Sequence, residues 1–152
     1  GGDLGHRGRM SSPAAGYDDT NLFAKLPRGE IPAAKVYEDD VALAFMDARP
    51  QADGQVLVIP KDKSRGLLDV SPEVLAALIV RVQKVAAAVK TAFEADGLTI
   101  FQYNEKAGGQ TVFHLHFHIV PRFDGHDIEP HAGKQADPEL LKKNAEKIVA
   151  AL

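Results

Sequence analysis

"GQTVFHLHFHIVPR", residues 109–122, sets His114, His116 and His118 at every second position, with Leu115, Phe117 and Ile119 between them. Side chains along a strand point alternately to its two faces, so the spacing predicts a strand over 111–121. Its apolar set then faces a core, and its three imidazoles face a site. Same-face neighbours on a strand lie roughly 6.5–7 Å apart, near enough to act on one small group. Spacing alone leaves three readings open: two imidazoles chelating zinc, a neutral imidazole attacking phosphorus between hydrogen-bonding neighbours, or solvated histidines on an exposed face.

Working outward, "EKAGGQ" at 105–110 is a loop whose glycines let backbone amides approach a ligand, an expected anion nest beside the histidines. "LTIFQYN" at 98–104 alternates like a strand and makes a second antiparallel unit with 111–121. Ser71 can cap a helix that Pro72 opens, and Leu75, Leu78, Ile79, Val82, Val85, Ala86, Val89 and Phe93 recur at helical spacing until Gly97. "QVLVIP" at 55–60 is a strand closed by Pro60, after a loop at 48–54. Two apolar runs split by Glu38-Asp39-Asp40 predict a strand hairpin over 34–47, with Asp47 at its exit. A helix of at most two turns is expected within 20–32, stopped by Pro27 and Gly29, and a last helix begins at Asp137-Pro138 with Leu141, Ala145, Ile148 and Leu152 on one face.

The chain of 152 residues suits one compact domain, expected over 20–152. "GGDLGHRGR" at 1–9, with His6, precedes Met10 and reads as a vector remnant, and 11–19 as a mobile lead-in. Basic residues number 18 and acidic residues 21, a formal net charge of −3, so no general field draws in DNA or RNA. Cysteine is absent, which excludes disulfides, thiolate metal sites and a cysteine nucleophile; a reducing cytoplasm is the expected setting. The run "VLAALIV" at 74–80 is too short to span a bilayer, and neither a membrane segment nor a secretory signal is expected.

Together these features resemble the histidine triad (HIT) family, whose signature is His-apolar-His-apolar-His followed by two apolar residues. "HLHFHIV" at 114–120 fits it without a mismatch, and the resemblance extends over 22–61 and 104–112. The pattern "RGEIPA…YEDD…AFMD" is more similar to the Hint-like branch than to the Fhit-like one. The resemblance implies an α+β, HIT-like fold: a five-stranded, mainly antiparallel sheet with a long packed helix and a short N-terminal helix. It also implies a homodimer with a continuous sheet.

The resemblance further implies a role for each residue. His116 is the nucleophile on the α-phosphorus of a purine nucleotide derivative, an AMP or GMP derivative with adenosine expected. His114 holds its ring, and His118 hydrogen-bonds the phosphate. Asp47 receives the ribose hydroxyls, and Leu22, Phe23, Leu26 and Ile31 wall the base, with Phe45 and Met46 added to the binding set. Asn104, Gly109, Gln110 and Thr111 surround the phosphate and leaving group. No cofactor and no metal are expected; Asn21-Leu22-Phe23-Ala24 lacks the cysteines that some relatives use for structural zinc. The implied activity is hydrolysis of nucleoside phosphoramidates or related nucleoside monophosphate derivatives through a nucleotidyl-histidine. A dinucleoside polyphosphate hydrolase and a low-turnover nucleotide-binding regulator are the alternatives. One position departs from the pattern: Gln55 stands where a histidine is common, and an amide carries no proton at neutral pH.

Overall fold

The computed structural model describes residues 16–128 and 133–152. The expectations for 1–9, His6 and 10–15 lie outside the described residues. In chain order the elements are α1 (Leu22–Lys25), β1 (Lys35–Glu38), β2 (Ala42–Met46), β3 (Val56–Pro60), α2 (Pro72–Ala92), β4 (Gly97–Phe101), a 3-10 turn (Lys106–Gly108), β5 (Phe117–Arg122) and α3 (Pro138–Ala151). The strands form one sheet in the order β1-β2-β3-β5-β4, and every neighbouring pair is antiparallel. The expected five-stranded α+β architecture is what the chain adopts.

Local chemistry accounts for the helix boundaries. The Ser71 hydroxyl accepts from the Val74 amide at 3.1 Å and Pro72 occupies the first turn, so α2 starts where its orphan donors find a partner. Asn21 caps α1 by accepting from the amides of Phe23 and Ala24. The tight turn before β3 needs a glycine: Gly54 has φ +92°, and a Cβ there would sit 2.6 Å from the Phe93 ring.

The sheet has two apolar faces. On one, Ala42, Ala44, Met46, Val56, Val58 and Ile119 pack under Val74, Leu78, Val82, Val85 and Val89 of α2, joined by Ala145 and Ile148 of α3. Each large aliphatic side chain buried here contributes about 1.5–3 kcal/mol. On the other, Phe23 and Leu26 of the first helical turn cover Leu43, Phe45, Leu57 and Ile59, with Ile31 beside them. The histidine face of β5 lies on this second side, because His118 pairs in register with Leu57 of β3 and Phe101 of β4.

Two strand expectations are shortened. The ladder of β5 begins at Phe117 rather than 111, paired with Val58, and the preceding stretch is tied instead through the Leu115 amide to the Ser64 carbonyl at 2.8 Å. The alternation persists through this unladdered stretch, with Leu115 and Ile119 in the core and Phe117 packed against it. β4 stops at Phe101, and 102–104 leave the sheet. Within the segment expected as a lead-in, Tyr17 and Asp19 make specific contacts with the body of the protein.

Candidate active site

His114 is 1% exposed, and both its ring nitrogens are engaged. Nε2 lies 2.8 Å from the Pro60 carbonyl, which can only accept, so Nε2 carries the proton. Nδ1 is then the lone pair, and the Tyr17 hydroxyl donates to it. Burial pushes the His114 ring down to about 4 and raises the Tyr17 phenol, so both groups are neutral at pH 7.

The same logic fixes His116. Its Nδ1 lies 2.6 Å from the His114 backbone carbonyl and must donate, which leaves Nε2 as a lone pair that no hydrogen bond among the described residues engages. The ring is buried edge-on to Phe23, with centroids 4.9 Å apart, and burial lowers its pKa. A neutral imidazole with one nitrogen anchored and the other bearing a free lone pair has the form that nucleophilic attack requires.

His118 completes the group, its centroid 4.9 Å from that of His116. It stacks on Phe101, centroids 4.2 Å apart at 10°, and leans on Tyr103. Nδ1 meets the Gln55 amide nitrogen at 3.2 Å, whereas Nε2 is buried without a partner among the described residues. Burial, followed by the proximity of His116, pushes this ring down to about 3. Among the described residues no three His, Cys, Asp or Glu side chains are grouped to hold a metal ion.

Asp47 follows β2 on the edge of the same region. Its amide donates to the Gln55 carbonyl at 3.0 Å, and its carboxylate accepts from the Arg49 amide at 2.9 Å. Burial raises its pKa, leaving a partly desolvated carboxylate with spare acceptor capacity. Phe23, Leu26, Ile31 and Phe45 lie together on the histidine face, and Phe23 meets Phe45 edge-on at 5.4 Å.

Several candidate residues are placed elsewhere. Met46 follows Phe45 by one residue on a strand, so it points to the opposite face and is buried under α2. Leu22 is 51% exposed on the outer side of a single helical turn and joins neither apolar cluster. Gln110 is buried and bracing: its Nε2 donates to the carbonyls of Arg65 and Val112, and its Oε1 accepts from the Glu105 amide. The amides of Gly109 and Gln110 bond back to the carbonyls of Lys106 and Glu105, so the expected anion nest is spent closing its own turn. The Asn104 side chain exchanges hydrogen bonds with Gln102 and accepts from the Leu67 amide. Thr111 is exposed at the end of this turn. Tyr17, which the sequence reading did not select, is the residue it missed.

A model of the HIT domain matches residues 28–125. The chain belongs to the HIT family. It is 40% identical to "Protein hit" of Bacillus subtilis over 102 residues, 67% of this chain and 70% of that protein. It is 39% identical to "Adenylylsulfatase HINT3" of Arabidopsis thaliana over 101 residues, 66% of this chain and 51% of that one, so it spans about half of that relative. Among solved structures, a Hit-like protein involved in cell-cycle regulation from Bartonella henselae matches with TM-score 0.86 and 56% identity, over 90% of this chain and 98% of the other. A histidine triad nucleotide-binding protein of Sulfolobus tokodaii matches with TM-score 0.79 and 30% identity, over 85% and 89%. Membership places the HIT chain, with its Hint-like relatives, in a superfamily of nucleotide-binding proteins and hydrolases. Among the described residues no helix is long and apolar enough to cross a membrane.

Proposed function

We propose that this HIT protein hydrolyses purine nucleoside phosphoramidates or closely related nucleoside monophosphate derivatives, with His116 as nucleophile. The observation that carries this reading is the anchored ring of His116, whose Nδ1 donates to the His114 carbonyl while Nε2 stays free. The Nε2 lone pair attacks the α-phosphorus, a P–Nε2 bond forms and the bond to the leaving group breaks, the leaving group taking a proton from solvent. The imidazole becomes cationic as it is phosphorylated, and the His114 carbonyl, already accepting from Nδ1–H, stabilises that charge. Water then attacks phosphorus, releases the nucleoside monophosphate and restores neutral His116. Asp47 accepts from the ribose hydroxyls, and Phe23, Leu26, Ile31 and Phe45 wall the base, converting remote binding into orientation.

The adenylylsulfatase name of one relative favours a second substrate class for the same nucleophile, a nucleoside phosphosulfate, in which sulfate departs instead of an amine. The edge strand β4, with exposed Ile100 and Tyr103 near its end, supports a homodimer as the working assembly, and the cysteine-free composition suits the cytoplasm. The test is turnover of adenosine phosphoramidate, adenylyl sulfate and a diadenosine polyphosphate by wild type and His116→Ala, each with and without chelator, with mass spectrometry of quenched enzyme. A nucleotidyl adduct on His116 is expected. Activity in His116→Ala refutes the nucleophile, loss in chelator points to a metal, and tight AMP binding without turnover points to a regulator.

A further inference from the structure

The Gln55 side chain is 2% exposed, lies within the site and is not used by the mechanism above. A backbone N–H can only donate, and that of Gln51 lies 2.6 Å from Gln55 Oε1. This contact settles which end of the amide is oxygen. The other end is therefore NH₂, and it faces His118 Nδ1 at 3.2 Å. An N–H pointed at a ring nitrogen requires a lone pair there, so the proton of neutral His118 must sit on Nε2. The loop that presents Gln51 is itself held: the Arg122 guanidinium donates to Gln51 Oε1 at 3.0 Å and to Thr99 Oγ1 at 3.0 Å.

We propose that Gln55 is a positioning residue that locks His118 in the Nε2–H tautomer, so that the unpartnered Nε2 is a fixed hydrogen-bond donor to a phosphoryl oxygen beside His116. The inference rests on the hydrolase reading for its substrate, but the tautomer itself does not depend on it. The groups facing His118 are Phe101 from β4, Tyr103 beyond its end, Gln55 from the loop before β3, and His116 from its own segment. None of these groups is a carboxylate. Burial already disfavours the cationic ring, and a donating amide at Nδ1 blocks the second proton at the only other nitrogen. A histidine at position 55 could donate or accept and could change with pH. Glutamine, oriented by the Gln51 N–H, can only donate.

The test is ¹⁵N NMR of the imidazole nitrogens in the full chain without ligand, then with AMP. Wild type is expected to show an unprotonated Nδ1 and a protonated Nε2 for His118 throughout pH 6–8. Gln55→Glu replaces the donor by an acceptor and should move a proton to Nδ1; Gln55→Leu should give a mixture of tautomers. The His114 and His116 signals report whether each variant is folded, since their hydrogen bonds go to Tyr17, Pro60 and the His114 carbonyl rather than to Gln55. Loss of one oriented hydrogen bond should lower kcat for adenosine phosphoramidate about two- to tenfold in Gln55→Leu, with KM little changed. A protonated Nδ1 in wild type, a His118 pattern unchanged in both folded variants, or a changed tautomer with unaltered kcat would each overturn the proposal. Absence of turnover in wild type would instead refute the hydrolase reading, and the NMR pattern would decide the tautomer lock alone.

Discussion

His116 Nδ1 donates to the backbone carbonyl of His114 at 2.6 Å, so the ring that carries the free lone pair is aimed by a residue whose own ring is fully engaged elsewhere. The two histidines thus have separable roles. His116→Ala should lower turnover by at least about a thousandfold in a chain that still folds, with a lowered melting temperature because the ring packed on Phe23 and the donor to the His114 carbonyl are both lost. His114→Asn keeps the backbone acceptor, and its Oδ1 can still accept from the Tyr17 hydroxyl, but it strands the Pro60 carbonyl that Nε2–H served. It should cost about 2 kcal/mol or more in a urea titration while retaining more turnover than His116→Ala.

Tyr17 reaches His114 across 97 positions of sequence. Tyr17→Phe keeps the edge-on ring contact and removes only the hydroxyl, leaving a buried lone pair unmet. A loss of about 1 kcal/mol, or roughly 2–4 °C in melting temperature, is expected from calorimetry. An unchanged melting temperature would mean that this N-terminal segment does not hold the triad.

What the sequence made legible follows from periodicity. Alternation from His114 to Ile119 assigned the two faces of β5, and Ser71-Pro72 marked the start of α2. What it hid are partnerships of long range. Nothing in "GYDD" marks Tyr17 as a partner of His114, and nothing in "AGGQ" shows that the Gln110 side chain and two amides close the turn internally. Met46 was different: the period of two separates it from Phe45, but β2 is buried on both faces, so apolar character gave no contrast between them.

Met46→Ala separates core from pocket. The side chain packs beneath α2, so truncation should cost about 2–5 kcal/mol, read by urea unfolding. KM for adenosine phosphoramidate should stay within error of wild type, whereas Phe45→Ala on the histidine face should raise it.

Stability should fall on mild acidification. An unfolded histidine titrates near 6.5, but in the folded chain burial holds His114 at about 4 and His118 at about 3. Between those values the unfolded chain binds protons that the folded chain does not, so stability is full above about pH 6.5 and declines as pH falls towards the folded values. From pH 7.5 to 5.5 the loss is roughly 1 kcal/mol per buried histidine. Urea midpoints across this range should flatten in His114→Asn. A pH-independent wild type would show that the imidazoles are not desolvated as described.

Asp47 tests the sugar side of the site. Its carboxylate spends one oxygen on the Arg49 amide and is pushed upward by burial, so an incoming pair of hydroxyls would supply the hydrogen bonds that a desolvated carboxylate lacks. Wild type should therefore prefer adenosine phosphoramidate over its 2′-deoxy analogue by about tenfold or more in kcat/KM, since losing a hydrogen bond to a charged group costs about 1.5–3 kcal/mol. Asp47→Asn keeps the shape and one acceptor but removes the charge, and should narrow that preference to about two- to threefold, mainly by raising KM for the ribose substrate. Turnover of the deoxy substrate should fall less, because only its 3′-hydroxyl remains to meet the carboxylate. Equal losses on both substrates would show that Asp47 holds the loop at Arg49 rather than the sugar.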